Sequence, residues 1–210
     1  MYIYFMEILS REVTASGLYK ISSTDGSFFI RLEYLVSLSK EDFLMNDFFD
    51  ETQSQEILDA GLVTTCECKA VDYLARSEQS RTGLLKKLQD KGYEREYISR
   101  ALDYLESVNY LSDERYCRSW LNTRKINHAE GRGKLLSELL GRGISKEISN
   151  KALDEFFSEN DENEIAIRCY TKLLRKGKTG EKLIASMIQQ GFSYKITRLL
   201  IKNKGTLPED

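Results

Sequence analysis

One segment occurs three times between residues 84 and 191, and it constrains the fold more than any other feature. Each copy has apolar residues at i, i+1 and i+4 and a glycine four residues further on. This spacing gives one apolar face of a short helix, and the glycine allows the left-handed conformation that closes it. The copies are Leu84, Leu85, Leu88 and Gly92; Leu135, Leu136, Leu139 and Gly143; and Leu183, Ile184, Met187 and Gly191. Three copies at nearly constant spacing predict a tandem helical repeat.

Each repeat is predicted to contain two further helices. The segments 70–76, 115–123 and 165–174 supply a helix before the repeated one. Matched apolar residues at Tyr97, Ile148 and Ile196 mark a helix after it. Three such modules in a row predict an elongated helical array.

The amino-terminal region carries strand signals instead. Apolar runs occupy 3–9, 18–21 and 28–31, and the Asp25-Gly26 pair between the last two is a strong hairpin signal. From residue 32 onward the strand signals end. An acid-rich helical pattern follows and continues into the first repeat, with an interruption near 45–50.

The predicted fold is therefore mainly α, an elongated array of three tandem three-helix repeats with a small amino-terminal β-hairpin or sheet. We expect an acidic amino-terminal region at 1–65, repeats at 66–112, 113–160 and 161–205, and a tail at 206–210. The region 1–65 holds 4 Lys and Arg against 11 Asp and Glu, although the whole chain has a formal net charge of only −2. An acidic amino-terminal region followed by a mildly basic remainder of the chain indicates a binding partner that has its own charge pattern.

Composition argues against a membrane or secreted protein. No run approaches the ~20 consecutive apolar residues of a membrane-spanning helix. The first residues reach Glu7 without the basic lead-in of a secretory signal. The four cysteines are scattered and are interpreted as reduced thiols. We expect a cytoplasmic protein.

A local excess of positive charge marks the second repeat. Residues 115–146 hold eight Lys and Arg against two acids, Glu130 and Glu138. At 100° per residue, Arg115, Arg118 and Lys125 lie opposite the apolar side chains of the same segment, which include Trp120. Such a stripe is either an ordinary solvated helix face or a docking surface for an acidic groove or phosphates. The predicted binding residues are Arg115, Arg118, Arg124, Lys125, Arg132, Lys134 and Arg142.

No pattern predicts an enzyme, a metal site or a cofactor. Gly131-Arg132-Gly133-Lys134 lacks the remaining residues of a Walker A loop, and its glycines are interpreted as a flexible entry into a helix that starts near Lys134. Cys66-x-Cys68 has no second pair to complete a zinc site, and buried or half-buried thiols explain it better. His128 fits a loop residue better than a general base.

Two segments resemble the RecX regulatory proteins. Residues 70–74, Ala-Val-Asp-Tyr-Leu, lead through Ser80-Arg81 to the first copy of the repeated segment and resemble the first repeat of that family. Residues 110–116, Tyr-Leu-Ser-Asp-Glu-Arg-Tyr, together with the second copy, resemble its most recognisable segment. The likeness covers about residues 68–203. It departs from the pattern at Lys204, where the earlier repeats have an apolar residue.

The resemblance implies a bacterial cytosolic modulator of the RecA recombinase, without catalysis or cofactor. Members of the family lie along the deep groove of the RecA–DNA filament. They inhibit strand exchange and ATP hydrolysis, and they limit repressor self-cleavage in the SOS response. By this interpretation the chain is a monomer that contacts DNA weakly or through the filament.

A stand-alone DNA-binding helical-repeat module is the alternative. Short three-helix units resemble helix-turn-helix domains, and tyrosines together with Trp120 could stack on single strands. The aromatic residues of the repeats occupy core positions, which argues against this alternative, but the sequence leaves it open.

Overall fold

The structure, a computed structural model, describes residues 5–203. The first residues of the predicted 3–9 strand, Lys204 and the predicted tail 206–210 lie outside this range. The strands are β1 (Met6–Val13), β2 (Tyr19–Ser23), β3 (Gly26–Ile30) and β4 (Phe48–Phe49). The helices are α1 (Lys40–Met45), α2 (Glu51–Leu74), α3 (Arg81–Gln89), α4 (Arg95–Ser107), α5 (Asp113–Asn127), α6 (Arg132–Gly141), α7 (Lys146–Glu159), α8 (Glu162–Arg175), α9 (Gly180–Gln189) and α10 (Tyr194–Asn203).

The chain forms two compact units. Unit 1 contains the residues up to Ser77 together with Leu84–Leu111, and unit 2 contains Glu78–Gly83 and the residues from Ser112 onward. The predicted fold class, mainly helical with three-helix repeats and a small amino-terminal sheet, is confirmed. The boundary predicted after residue 65 lies inside α2, because one continuous helix serves both the sheet and the first repeat.

The sheet of unit 1 is antiparallel, with strand order β3-β2-β1-β4. The predicted hairpin is confirmed, since β2 and β3 pair from Tyr19 with Ile30 to Ser23 with Gly26. The expectation that strands end at residue 32 was wrong, because β4 pairs with β1 through Phe49 and Met6. A two-residue strand is too short to leave an alternating pattern in the sequence.

Helix α2 covers the inner face of this sheet. A capping box begins the helix, with Asp50 accepting from the amide of Gln53 while the Gln53 side chain accepts from the amide of Asp50. Its buried residues, Ile57 and Val63 among them, share one core with the sheet and with α4. The amino-terminal sheet is therefore stabilised by the helix of the repeat that follows it.

A buried ion pair joins the sheet to α2. Arg31 donates from Nε and Nη2 to the carboxylate of Glu67 at 2.7 and 2.6 Å, and the hydroxyl of Tyr34 donates to it at 2.9 Å. The guanidinium of Arg31 also lies 4.5 Å from the ring centroid of Tyr104 on α4. Burial raises the pKa of Tyr34, and the neighbouring Glu67 carboxylate adds to the shift. This cluster leaves Glu67 no free carboxylate for chemistry.

Helices α5 to α10 of unit 2 form the second and third repeats. The predicted apolar positions point inward: Leu135 and Leu139 of α6, and Leu183 and Met187 of α9, are all buried in one core. The glycine that closes each repeated helix is left-handed, with φ of +88°, +78° and +90° at Gly92, Gly143 and Gly191. The turn inferred from the sequence is thus present in every repeat.

A close backbone contact joins the second and third repeats. The amide of Gly131 donates to the carbonyl of Gln190 at 2.8 Å, and the amide of Gly133 donates to that of Gly191 at 3.0 Å. A Cβ on Gly131 would lie 2.6 Å from the carbonyl carbon of Gly191, and one on Gly191 would overlap the backbone nitrogen of Lys134. The glycines were predicted to give a flexible entry into a helix starting near Lys134. This was wrong: they permit close packing, and α6 begins at Arg132.

Acidic side chains from neighbouring helices cap the starts of α3 and α6. Asp113 at the start of α5 accepts from the amide of Arg81 at 2.8 Å, and Glu162 at the start of α8 accepts from the amide of Arg132 at 3.2 Å. Each carboxylate satisfies an amide that has no partner inside its own helix. The first residue of one repeat therefore caps the second helix of the repeat before it.

Replacing Gly191 with alanine tests the packing role of this turn. We expect Gly191→Ala to lower the unfolding free energy of unit 2 by at least about 3 kcal/mol, since backbone overlap adds to left-handed strain. Gly177→Ala is the matched control, because Gly177 has a φ of +74° but nothing within 4 Å of an added Cβ. It should cost only about 1 kcal/mol. Equal losses in urea denaturation would show that the close contact does not contribute.

Candidate partner-binding surface

The seven predicted binding residues all lie in unit 2. Helix α5 carries Arg115, Arg118, Arg124 and Lys125; α6 carries Arg132 and Lys134; and Arg142 is the residue that ends α6. Their positions follow the predicted helices. Their charges, however, are not all available to a partner.

Three of these cations are paired with acids from outside 115–146. Arg115 lies 2.8 Å from Glu78. Arg118 lies 2.9 Å from Glu155 of α7. Arg132 lies 2.8 Å from Asp154, also of α7; the two acids of α7 are close to α5 and α6 only in the folded chain. The local excess of positive charge in the sequence is therefore largely balanced in the structure.

A second group of ion pairs surrounds Trp120. The guanidinium of Arg124 lies 3.0 Å from Glu130 and 2.6 Å from Glu138. It also lies over the Trp120 ring, 5.3 Å from the centroid, and Arg142 lies 4.7 Å from the same centroid. Lys134 and Arg142 complete the group through pairs with Glu130 at 2.8 Å and Glu138 at 3.4 Å. We call these six residues, Trp120, Arg124, Glu130, Lys134, Glu138 and Arg142, the Trp120 network.

The Trp120 network is built around a buried carboxylate. Glu130 is only 5% exposed, and an isolated buried charge would cost several kcal/mol. Arg124 and Lys134 offset that cost, so both cations stabilise unit 2. Trp120 is half-buried and flanked by two guanidiniums, which agrees with its prediction as a packing residue.

Lys125 and Arg118 are the most available of the seven. Lys125 is exposed and has no ion pair within residues 5–203, although its backbone carbonyl accepts from Arg168. The Arg118 side chain is 52% exposed, and exposed pairs such as that with Glu155 are weak. The pair lowers the pKa of Glu155 and raises that of Arg118, so both groups stay charged near neutral pH.

Other candidate chemistry is limited by burial and pairing. Within residues 5–203, no group of three His, Cys, Asp or Glu side chains could hold a metal ion. Cys66 is buried and Cys68 is exposed, and burial raises the pKa of the Cys66 thiol to about 11. The amides of Gly131 and Gly133 already donate to carbonyls, so they do not form a phosphate loop. Among the described helices, none combines the length and apolar character needed to cross a bilayer.

Comparison with known sequences shows the family. Residues 69–105 match the family model for the first three-helix domain of RecX, and residues 112–153 match that for the second. The Regulatory protein RecX of Treponema pallidum (strain Nichols) is 35% identical over 141 residues, which cover 66% of this chain and 86% of the relative. The chain belongs to the RecX family. The Regulatory protein RecX of Clostridium botulinum (strain Alaska E43 / Type E3) is 24% identical over 186 residues, 83% of this chain and 87% of that one.

Solved RecX structures share the fold. A crystal structure of regulatory protein RecX matches with a TM-score of 0.74 at 22% identity, over 94% of this chain and 99% of that one. RecX from Lactobacillus salivarius matches with a TM-score of 0.58 at 22% identity, over 68% of this chain and 96% of that one. The two matched RecX domains correspond to the end of α2 through α4 and to α5 through α7. The third repeat, α8 to α10, follows them.

Truncating Arg124 tests the structural role of the Trp120 network. We expect Arg124→Ala to destabilise unit 2 by about 3 kcal/mol, because it leaves buried Glu130 with one cation fewer. Trp120 is the single tryptophan of the chain, so its fluorescence during urea denaturation reports on this network directly.

Arg118→Ala is the matched control for this substitution. It removes an arginine from the same helix, but one whose pair is exposed, and should leave the unfolding midpoint close to that of the unaltered protein. Equal midpoints for the two variants would contradict a buried, stabilising network.

Proposed function

We propose that this protein binds in the groove of the RecA–DNA filament and inhibits RecA in DNA repair and the SOS response. Membership of the RecX family of regulatory proteins is the observation that carries the proposal. The activities affected would be ATP hydrolysis, strand exchange and the coprotease activity toward the repressor. The protein would act as a cytoplasmic monomer, without catalysis or cofactor of its own.

The proposed mechanism is mechanical. A chain of helical repeats in the groove would contact neighbouring RecA protomers and hinder the repacking that accompanies ATP turnover. The close backbone contact between the second and third repeats supports this role, since it limits hinge motion where α6 meets the end of α9. A rigid segment that touches two protomers resists their relative movement.

Charge on α5 and the adjacent α7 supports a protein partner for this part of the surface. Positive and negative side chains lie side by side there, as in Arg118 with Glu155 and Lys151 with Glu114. A mixed surface of this kind complements a protein with its own charge pattern, whereas a duplex or single strand presents only negative phosphates. Of the seven predicted binding residues, we propose Arg118 and Lys125 as the principal contacts.

A stand-alone DNA-binding module is the second candidate. It requires accessible cations and aromatic side chains on which bases can stack. Trp120 lies between two guanidiniums, and five of the seven predicted cations have side chains at most 36% exposed and engaged with acids. These observations favour the filament over naked DNA.

Reversing charge at Arg118 and Lys125 tests the proposal. RecA-dependent ATP hydrolysis on single-stranded DNA is measured with increasing amounts of the protein. The unaltered protein should lower the rate, and Arg118→Glu combined with Lys125→Glu should raise the concentration for half-inhibition about tenfold or more, because favourable contacts become repulsive.

Lys86→Glu combined with Lys91→Glu is the matched control, because it reverses two exposed charges in unit 1. It should inhibit nearly as well as the unaltered protein. A hydrolysis rate that does not respond to the unaltered protein would contradict the function. Full inhibition by the Arg118/Lys125 variant would contradict the proposed surface alone.

A further inference from the structure

A second basic surface lies on α8, outside the seven predicted residues. Arg168, Lys172, Arg175 and Lys176 recur at helical spacing on one exposed face of that helix and the residue that ends it. The opposite face is buried through Ile165, Cys169 and their neighbours in the core of unit 2. The four cations therefore point away from the core.

Lys125 extends this surface from α5. The guanidinium of Arg168 donates to the Lys125 carbonyl at 3.4 Å, which brings the two basic side chains to one cleft together with His128. His128 also lines the neighbouring cleft with Lys172 and Lys176. We call the five cations Lys125, Arg168, Lys172, Arg175 and Lys176 the α8 surface.

The α8 surface differs from the predicted stripe because its charges are not balanced by acids. Within residues 5–203, none of its five side chains forms an ion pair. Two acids lie close in the fold or along the helix. Glu130 is buried and engaged with Arg124 and Lys134, and Glu164 lies one turn before Arg168. The net local charge is therefore positive.

Helix stability alone does not explain these cations. Basic residues in a last turn do favour the helix dipole, and Lys172, Arg175 and Lys125 hold such positions. However, α6, α7 and α9 end without any basic residue in the last turn, so the repeat does not need one. Arg168 lies two turns before the end of α8, where the dipole effect has faded.

We infer that the α8 surface contacts the phosphate backbone of DNA. Unbalanced, exposed Lys and Arg side chains are the groups that neutralise phosphates. The exposed large apolar side chains beside them are Ile126 and Ile167, too few for the apolar centre of a protein interface. Base stacking is not expected, since Tyr170 on α8 is buried.

This inference rests on the proposed function and deepens it. The α8 surface would bind the DNA of the filament while Arg118 and its neighbours bind RecA, and Lys125, next to Arg168, lies where the two surfaces meet. Arg168 and Lys176 are eight residues apart, a rise of about 12 Å along the helix. That distance spans a few phosphates of one strand. A contact of this size adds to filament binding but gives only weak affinity for DNA alone.

Neutralising three cations tests the inference. The variant Arg168→Gln, Lys172→Gln, Lys176→Gln is compared with the unaltered protein for binding to a short fluorescent single-stranded DNA at several salt concentrations. At low salt we expect the variant to bind about tenfold more weakly or worse. Its slope of log affinity against log salt should be shallower by about 2, since each phosphate contact on a single strand contributes about 0.7.

Lys86→Gln, Lys91→Gln, Arg95→Gln is the matched control, because it removes three exposed positive charges from unit 1. Its binding should change less than about twofold. Thermal unfolding of both variants at the temperature of the unaltered protein would establish that they are folded. Equal losses in both variants, or no measurable DNA binding at low salt by the unaltered protein, would overturn the inference.

Measuring the inhibition of RecA ATP hydrolysis distinguishes a failure of this inference from a failure of the proposed function. If the α8 variant binds DNA normally but inhibits RecA ATP hydrolysis poorly, the surface contacts an acidic protein and the inference is overturned. If the unaltered protein leaves RecA ATP hydrolysis unchanged while DNA binding depends on the α8 surface as expected, the inference stands and the proposed function fails.

Discussion

The contact between the start of α6 and the end of α9 determines how unit 2 is assembled. Two amides at the start of α6, those of the N-cap residue Gly131 and of Gly133, donate to the carbonyls of Gln190 and Gly191 after α9, and an added Cβ would fit at neither Gly131 nor Gly191. Glu162 supplies the remaining cap at Arg132. Because these bonds use backbone groups, they fix the second and third repeats whatever surface side chains they carry. The helices that carry the basic residues, α5, α6 and α8, thus have fixed positions relative to one another within unit 2.

The basic side chains of unit 2 are of two kinds, those paired with acids and those without an ion pair among residues 5–203. On α5 and α6, most arginines and lysines neutralise acids brought from Glu78 and from α7, or from Glu130 within the Trp120 network. On α8, Arg168, Lys172, Arg175 and Lys176 are exposed, and within residues 5–203 none of them forms an ion pair. Ion pairs hold the first group in defined positions. The second group is the one for which we propose contact with phosphates.

The helical repeats were predictable because their signals are local. Apolar spacing and a closing glycine recur within about a dozen residues, so Leu135, Leu139 and Gly143 could be placed from the sequence. The sequence did not allow prediction of strand β4 or of the acids that pair with Arg115 and Arg118, because these contacts join residues far apart in the chain. The i, i+4, i+8 spacing of Arg168, Lys172 and Lys176 was visible, but only the structure shows that none of the three forms an ion pair within residues 5–203.

The most direct test compares the affinity of the protein for one single-stranded DNA, bare and coated with RecA, at the same near-physiological salt. We expect weak binding to the bare strand, because most of the positive charge on α5 and α6 is neutralised by acids and the protein makes few phosphate contacts. Recognition of the recombinase predicts binding to the filament that is tighter by about a hundredfold, the gain of roughly 2.7 kcal/mol that a second set of contacts supplies. Equal affinities for the bare and coated strands would contradict the account.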